Sequence, residues 1–459
     1  MRLGVATLGS LAFLIASVPV AAADPSPGTT LTMSAPAAPE GGSTAVSLQL
    51  ESADGTPLAD EQVTLQRRTA GAWTDLDPVT TDADGTATES VTLTRVPDDN
   101  VVRATFAGDA EDAAATATLS VALQRRRGVV TLTAPGSVVD GRTVRLAVGW
   151  QTRSGEPVAG PVVLQRRYAG GPWRRVTRLT TGQQGTATYA VRPRTDTWWR
   201  AVAPQLPWVT GGTTRAHRIR NVPPGEPVRL PRAAPSPRNH VPPQPRAVGQ
   251  GANPVITRIP DRIWSQMVGV SWHSGCPVGR SGLRLLRINY WDYSGYRRRG
   301  ELVAAPSAIG QMAGALADLY RGDYPLRSLY RVDRFGYSAR SHGGNDYASM
   351  AAGNSYAFDC RDVTGNPGTL SPHAYGRSID LNTWENPYRS AQGIVPDSWW
   401  QGHSDPRVAW RSASHAVVRI MARHGLRWTY GLGDTQHFDA VVQGRVLPLP
   451  PACRHRICD

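Results

Sequence analysis

The strongest constraint on this chain is that part of it is written twice. PLADEQVTLQRRTAGAWTDLDPVTTDADGTAT, beginning at Pro57, aligns with PVAGPVVLQRRYAGGPWRRVTRLTTGQQGTAT, beginning at Pro157. Leu65-Gln66-Arg67-Arg68 answers Leu164-Gln165-Arg166-Arg167, and Trp73 answers Trp173. Gly85-Thr86-Ala87-Thr88 answers Gly185-Thr186-Ala187-Thr188. In both copies β-formers alternate with polar residues, as in VTLQRR and VVLQRR. Turn sequences such as ADGT and SADGTP break the runs, so each copy reads as short strands with one buried face.

A period of about 100 residues is the size of one immunoglobulin-like β-sandwich. The expectation is two such all-β modules, at 28–123 and 129–221. Neither contains a cysteine, so packing alone holds them. Trp73 and Trp173 read most simply as core residues. The modules resemble the Ig-like repeats that bacteria string in front of secreted enzymes, a likeness of fold that says little about ligands.

The ends of the chain address its location. MRLGVATLGSLAFLIASVPVAAADPSPG has Arg2 ahead of an apolar core from Leu3 to Val20 and a small-residue site at Ala21-Ala22-Ala23. It reads as a signal peptide over 1–23, with a membrane anchor as the weaker alternative. No later apolar run of about 18 residues exists. The mature protein is expected to be secreted or associated with the cell wall. The formal charge is +14, and all 50 basic residues are arginine. A GC-rich genome accounts for the arginine preference, and attraction to anionic cell-wall polymers is the functional alternative. Nucleic acid is a poor partner, because the arginines are scattered and no basic helix stands out. The cysteines, Cys276, Cys360, Cys453 and Cys458, are even in number and suit two disulfides in an exported chain. Cys276–Cys360 with Cys453–Cys458 is preferred, because the second pair closes a short loop. A structural zinc site is the alternative.

From Asn221 to Pro254 the chain is rich in proline and arginine, without apolar periodicity. It reads as an extended linker over 222–254. Beyond it, Ile309, Met312, Leu316 and Leu319 recur at helical spacing, and Ala416, Val417, Ile420 and Met421 do so again. Extended, turn-rich segments lie between. The third part, 255–459, is therefore expected to be an α+β domain.

Two polar clusters carry the chemistry. In LSPHAYGRSIDLN, residues after Gly376 alternate: Ser378, Asp380 and Asn382 on one face, Ile379 and Leu381 on the other. A half-buried strand is expected, with His373 delivered by the turn before it. Asp380 needs a partner, since an unpaired buried carboxylate is costly. That partner is either an arginine such as Arg377 or a metal. In GLGDTQHFDA, Asp434 stands three residues before His437. Two histidines and a carboxylate, plus water, make a catalytic zinc site, with a further carboxylate as general base. His373, Asp380 and His437 with Asp434 supply that set. The same donors suit a non-haem iron site, although the seven-residue separation of His373 and Asp380 argues against it. A serine triad has no G-x-S-x-G elbow to support it.

SPHAYGRSIDLNTWENPY followed by DTQHFD resembles the M15 family of zinc peptidases, the D-alanyl-D-alanine carboxypeptidases and L-alanyl-D-glutamate endopeptidases of peptidoglycan. The family pattern is S-x-H-x-x-G-x-x-x-D and then D/E-x-x-H. SYAFDCRDVTG is similar to its aromatic–x–Cys-Arg segment. The resemblance implies that His373, Asp380 and His437 hold Zn2+ and that Asp434 moves the proton. It also implies that Arg361 steadies the scissile carbonyl or a substrate carboxylate, and that Ser371 contacts substrate. Peptidoglycan stem peptides are the implied partner. The tryptophan-rich stretch before the last motif is shorter here, and Asp439 stands where glutamate is frequent. Removal of terminal D-alanine is the favoured activity. Endopeptidase action and a non-catalytic wall-binding role are the alternatives.

Overall fold

A computed structural model describes residues 28–363, 366–391, 393–446 and 457. The stretch read as a signal peptide and the pair Cys453–Cys458 lie outside the described residues. Among those described, no helix is long and apolar enough to cross a membrane. The chain divides into two compact units. The first is Met1–Gly136, Val144–Val191 and Thr197–Ile219, and the second is Ser137–Thr143, Arg192–Asp196 and Arg220–Asp459.

The first unit is rich in β-sandwich. In the first repeat, Thr30–Ser34, Ser43–Glu51 and Thr86–Thr92 form one antiparallel sheet. Ala72–Asp75, Gln62–Thr69, Val101–Phe106 and Ala115–Ser120 form the other. Alternate side chains point inward. Val46, Leu48 and Leu50 of the first sheet share a core with Val63, Leu65, Val102, Ala104 and Phe106 of the second. In the second repeat, Gly128–Thr133, Val144–Thr152 and Thr186–Val191 form one sheet. Gly160–Arg167 lies between Arg174–Thr181 and Thr197–Ala203 in the other.

The repeated GTAT has a backbone cause. Gly85 and Gly185 sit at φ +71° and +66°. A Cβ there would stand 2.6 Å from the Leu50 carbonyl oxygen or 2.4 Å from that of Trp150. Only glycine permits both the conformation and the approach.

The repeated tryptophans are not core residues. Trp73 is 37% exposed, and Trp173 is half-buried beside arginine. Trp73 lies opposite Arg68, on the outward side of the Gln62–Thr69 strand, whereas Val63 and Leu65 point inward. Trp150 and Trp199, each 1% exposed, and Trp208, 6% exposed, are buried tryptophans of the second sandwich.

The second unit mixes helix and sheet. Val255–Thr257, Arg284–Trp291 and Arg297–Ala304 form an antiparallel sheet. The helix Pro306–Arg321 packs on Arg284–Trp291 and against the helix Ala416–Arg423. Ile309, Met312, Leu316 and Leu319 enter the core as their spacing predicts. The second helix begins at Ala416, where His415 Nδ1 accepts the N–H of Val417. A small sheet of Ser378–Asp380, His437–Ala440 and Leu426–Arg427 completes the scaffold of the candidate site. Ile379 and Phe438, both at 0% exposure, plant that sheet in the same core.

Past Val222, the Pro/Arg-rich stretch 223–254 forms no helix or strand and lies along the second unit. The Pro235 carbonyl accepts from the Trp384 indole at 2.8 Å, and the Pro242 carbonyl accepts from the Tyr330 hydroxyl at 2.8 Å. Asn239 donates to the carbonyls of Ala348 and Ala351. The buried Gln244 donates to the Leu329 carbonyl and accepts from the Leu329 N–H and the Tyr290 hydroxyl. Proline lacks a donor but keeps its carbonyl, so the prolines anchor the segment through acceptors while Asn239 and Gln244 supply donors.

Candidate metal centre

Gly376, at φ +65°, closes the short helical turn Pro372–Tyr375 and hands the chain to the strand Ser378–Asp380. His373 is on that turn. The strand pairs antiparallel with His437–Ala440, placing Asp380 opposite His437 and Ser378 opposite Asp439. Because side chains alternate, these four residues share one face. Ile379 and Phe438 take the other face, so burial of the apolar side orients the polar side. The strand is buried on both faces, not half-buried, since Ser378, Ile379 and Asp380 are all at 0% exposure.

Three donor atoms meet there. His373 Nε2 is 3.2 Å from His437 Nδ1 and 3.3 Å from Asp380 Oδ1. His437 Nδ1 is 3.2 Å from Asp380 Oδ1. Three ligands of a tetrahedral ion with bonds of roughly 2.0–2.1 Å stand about 3.3 Å apart. The triangle therefore has the edge length of one face of such a coordination sphere.

The outer nitrogens decide where the ring protons are. His373 Nδ1 lies 2.5 Å from the Ala357 carbonyl oxygen, which can only accept, so Nδ1 carries the hydrogen. His437 Nε2 donates to Asp439 Oδ1 at 3.0 Å. Burial alone would raise the Asp439 carboxyl. The His437 ring and the hydroxyls of Ser378 and Thr429 outweigh it and bring the carboxyl down to about 2. With neutral rings, both inward nitrogens present lone pairs toward the Asp380 carboxylate. Three acceptors at van der Waals range repel one another unless a cation sits among them, so the donor set fits a divalent metal.

Asp439 has a role that sequence reasoning did not give it. Its signal was present: it stands two residues after His437 on a strand, hence on the same face. Tyr356 was also missed. Its ring stacks on His373 with centroids 5.1 Å apart, and its backbone pairs with Asp380 on the side opposite His437. Tyr356 and Ala357 lie in SYAFDCRDVTG, singled out only for its aromatic–x–Cys-Arg pattern, and no local signal shows that they meet His373. Gln436 Nε2 lies 3.4 Å from Asp380 Oδ2.

The remaining candidates are placed as follows. Asp434 is fully buried on the segment entering the His437 strand. Arg361, 1% exposed, lies with Nε 3.2 Å from Asp346 Oδ2 and 3.7 Å from Asp359 Oδ2. Burial pushes the Asp359 carboxyl well above its usual range, against the pull of Arg361. Ser371 is fully buried, and its Oγ accepts the His373 N–H at 3.3 Å, so it caps the turn that carries the histidine. Arg377 donates to the Arg445 carbonyl. Cys276 and Cys360 form a disulfide directly before Arg361. His273 Nε2 bonds the Cys360 carbonyl beside that bridge, and the exposed His342 pairs with Asp362 at 2.9 Å.

The fold and donor set define a buried two-histidine, one-aspartate centre within a mixed α/β unit. Residues 364–440, which include all three donors, match the M15 peptidase family described as D-alanyl-D-alanine carboxypeptidase. A search of curated proteins found no match to the chain. Among solved structures, the chain is similar to the native conformation of E. coli alpha-2-macroglobulin, with TM-score 0.21 and 10% identity over 58% of this chain and 18% of that chain. Salmonella alpha-2-macroglobulin reacted with methylamine gives TM-score 0.22 and 10% identity over 57% of this chain and 18% of that chain. A tetra-tandem repeat in the extending region of a large adhesion protein gives TM-score 0.26 and 13% identity over 61% of this chain and 64% of that chain. The chain thus spans less than two thirds of each of these structures.

Proposed function

We propose that the chain is an exported zinc-dependent peptidase that hydrolyses peptidoglycan stem peptides and removes their terminal D-alanine. The observation that carries this reading is the 3.2–3.3 Å triangle of donor atoms inside a segment matching a D-alanyl-D-alanine carboxypeptidase family. Export is supported by the apolar N-terminal stretch and by the Cys276–Cys360 disulfide.

In this reading His373, Asp380 and His437 hold the ion. Zinc bound there would lower the pKa of a water toward about 7 and polarise the scissile carbonyl. Asp434 takes the proton from the attacking water and returns it to the leaving amine. Arg361 presents a guanidinium suited to the scissile carbonyl or the carboxylate that ends the stem, and Asp346 and Asp359 hold it in place. Since the Ser371 oxygen already accepts the His373 N–H, that side chain offers substrate its hydroxyl hydrogen. The Ig-like modules at 28–123 and 129–221 place the peptidase domain, 255–459, at the wall, with 222–254 joining them.

The test is elemental analysis of the purified protein, followed by mass spectrometry of stem peptides ending in D-alanyl-D-alanine. Stoichiometric zinc and loss of one terminal alanine are expected, and Asp434→Ala should keep the zinc but lose hydrolysis. A folded protein that binds no divalent metal would overturn the reading. Cleavage inside the stem would replace the carboxypeptidase with an endopeptidase.

A further inference from the structure

The two sandwiches share one arrangement on their outer faces. In the first, Gln66 Oε1 accepts from Arg103 Nε at 3.1 Å, and the Arg103 guanidinium lies 4.4 Å over the Trp73 ring. In the second, Gln165 Oε1 accepts from Arg200 Nε at 2.7 Å, and the Arg200 guanidinium lies 4.5 Å over Trp173. At one register position the copies carry opposite charge. Gln66 faces Asp75 across the hairpin and donates to its carboxylate at 2.7 Å, whereas Gln165 faces Arg175. A carboxylate in one repeat is thus a guanidinium in the other, on the same scaffold.

More positive charge surrounds that position. Arg167 lies 5.2 Å from the Trp173 ring and 5.9 Å from the Trp198 ring, and Arg218 lies 5.2 Å over Trp198. Arg178 stands opposite Val163 on the same side of the sheet as Arg175. The strands Gly160–Arg167, Arg174–Thr181, Thr197–Ala203 and His217–Val222 contain no aspartate or glutamate.

We infer that this face of the second sandwich, centred on Arg167, Arg175 and Arg200, docks a phosphodiester-linked anionic polymer. Arg175 and Arg200 flank Gln165 from the two neighbouring strands, and the first repeat shows that the scaffold accepts a carboxylate in place of Arg175. The positive face is therefore not a requirement of folding. The Trp173 ring orders the Arg167 and Arg200 guanidiniums beforehand, leaving N–H groups suited to bidentate phosphate contacts. The charges are spread across neighbouring strands about 4.8 Å apart, which suits a chain of phosphates better than one small anion. Arginines cover Trp173 and Trp198, so the rings are poor platforms for stacking bases, and a polymer without bases is favoured over nucleic acid.

The test titrates the full chain with synthetic poly(glycerol phosphate) at low and raised salt, followed by calorimetry. Binding should weaken with salt, and Arg167→Gln/Arg175→Gln/Arg200→Gln should bind about tenfold more weakly with a shallower salt dependence. Arg103→Gln, the matching change in the first sandwich, should bind as the unaltered chain does. If the triple variant melts early, Arg175→Asp alone copies the first repeat's carboxylate and should weaken binding with the fold intact. The proposal is overturned if the unaltered chain does not bind. It is also overturned if the charge variants bind unchanged, if Arg103→Gln loses as much, or if single-stranded DNA of equal charge binds more tightly.

Discussion

Asp380 and His437 stand directly opposite each other on neighbouring antiparallel strands, with Oδ1 and Nδ1 3.2 Å apart. A slip of one residue would bring Phe438 to that position and turn the histidine away. Burial of Ile379 and Phe438 on the opposite face forbids the slip. The donor triangle is therefore held by register, and register by the apolar core.

If the triangle binds metal through its charge, Asp380→Asn keeps the shape and removes the anion. Metal content after gel filtration should fall to background, and hydrolysis should fall with it. Circular dichroism should show the fold retained, since the apolar face is untouched.

Asp439 holds His437 from behind, so its effect should be on metal affinity. Asp439→Asn keeps the volume but removes the charge that fixes the His437 tautomer. Outer partners of this kind are worth about 10–100-fold in metal affinity. Competition with a chromophoric chelator should give a loss in that range. Affinity equal to that of the unaltered protein would remove Asp439 from this role.

Gln244 ties the proline-rich strap to the second unit with three hydrogen bonds at 3% exposure. Gln244→Ala leaves the Leu329 amide groups and the Tyr290 hydroxyl without that partner. The expected cost is about 2–4 kcal/mol, read from urea denaturation followed by tryptophan fluorescence. A fragment beginning at 255 lacks the strap and should be less stable than one beginning at 222.

Asp318 links the two packed helices. Its carboxyl lies below the usual range, chiefly because His424 Nε2–H donates to it at 2.7 Å, with Arg321 helping against partial burial. A depressed carboxyl stabilises the fold above its unfolded value of about 3.9. That contribution disappears as pH falls through the lower folded value. The difference in melting temperature between the unaltered chain and Asp318→Asn should be present above about pH 4 and shrink below it.

Much of this organisation was legible in local sequence. The repeat carried strand and turn chemistry that reads as β-structure, and the helix Pro306–Arg321 followed from apolar spacing. The donor residues were legible because each has a signal of its own: an alternating strand for Asp380, a glycine-closed turn for His373, and a polar residue entering a strand for His437. Trp73 and Trp173 misled because an aromatic residue in a strand has two faces available, and composition does not say which is outward.

The sequence by itself determined periodicity, alternation and the kinds of donor atom on offer, since these depend on neighbours a few residues apart. Only the tertiary structure decided that Ala357 and Asp439 orient the two imidazoles and that Tyr356 stacks on one of them. It also decided that the proline-rich segment lies along the second unit. Those contacts join residues distant along the chain, and their geometry exists only once the core has fixed strand register.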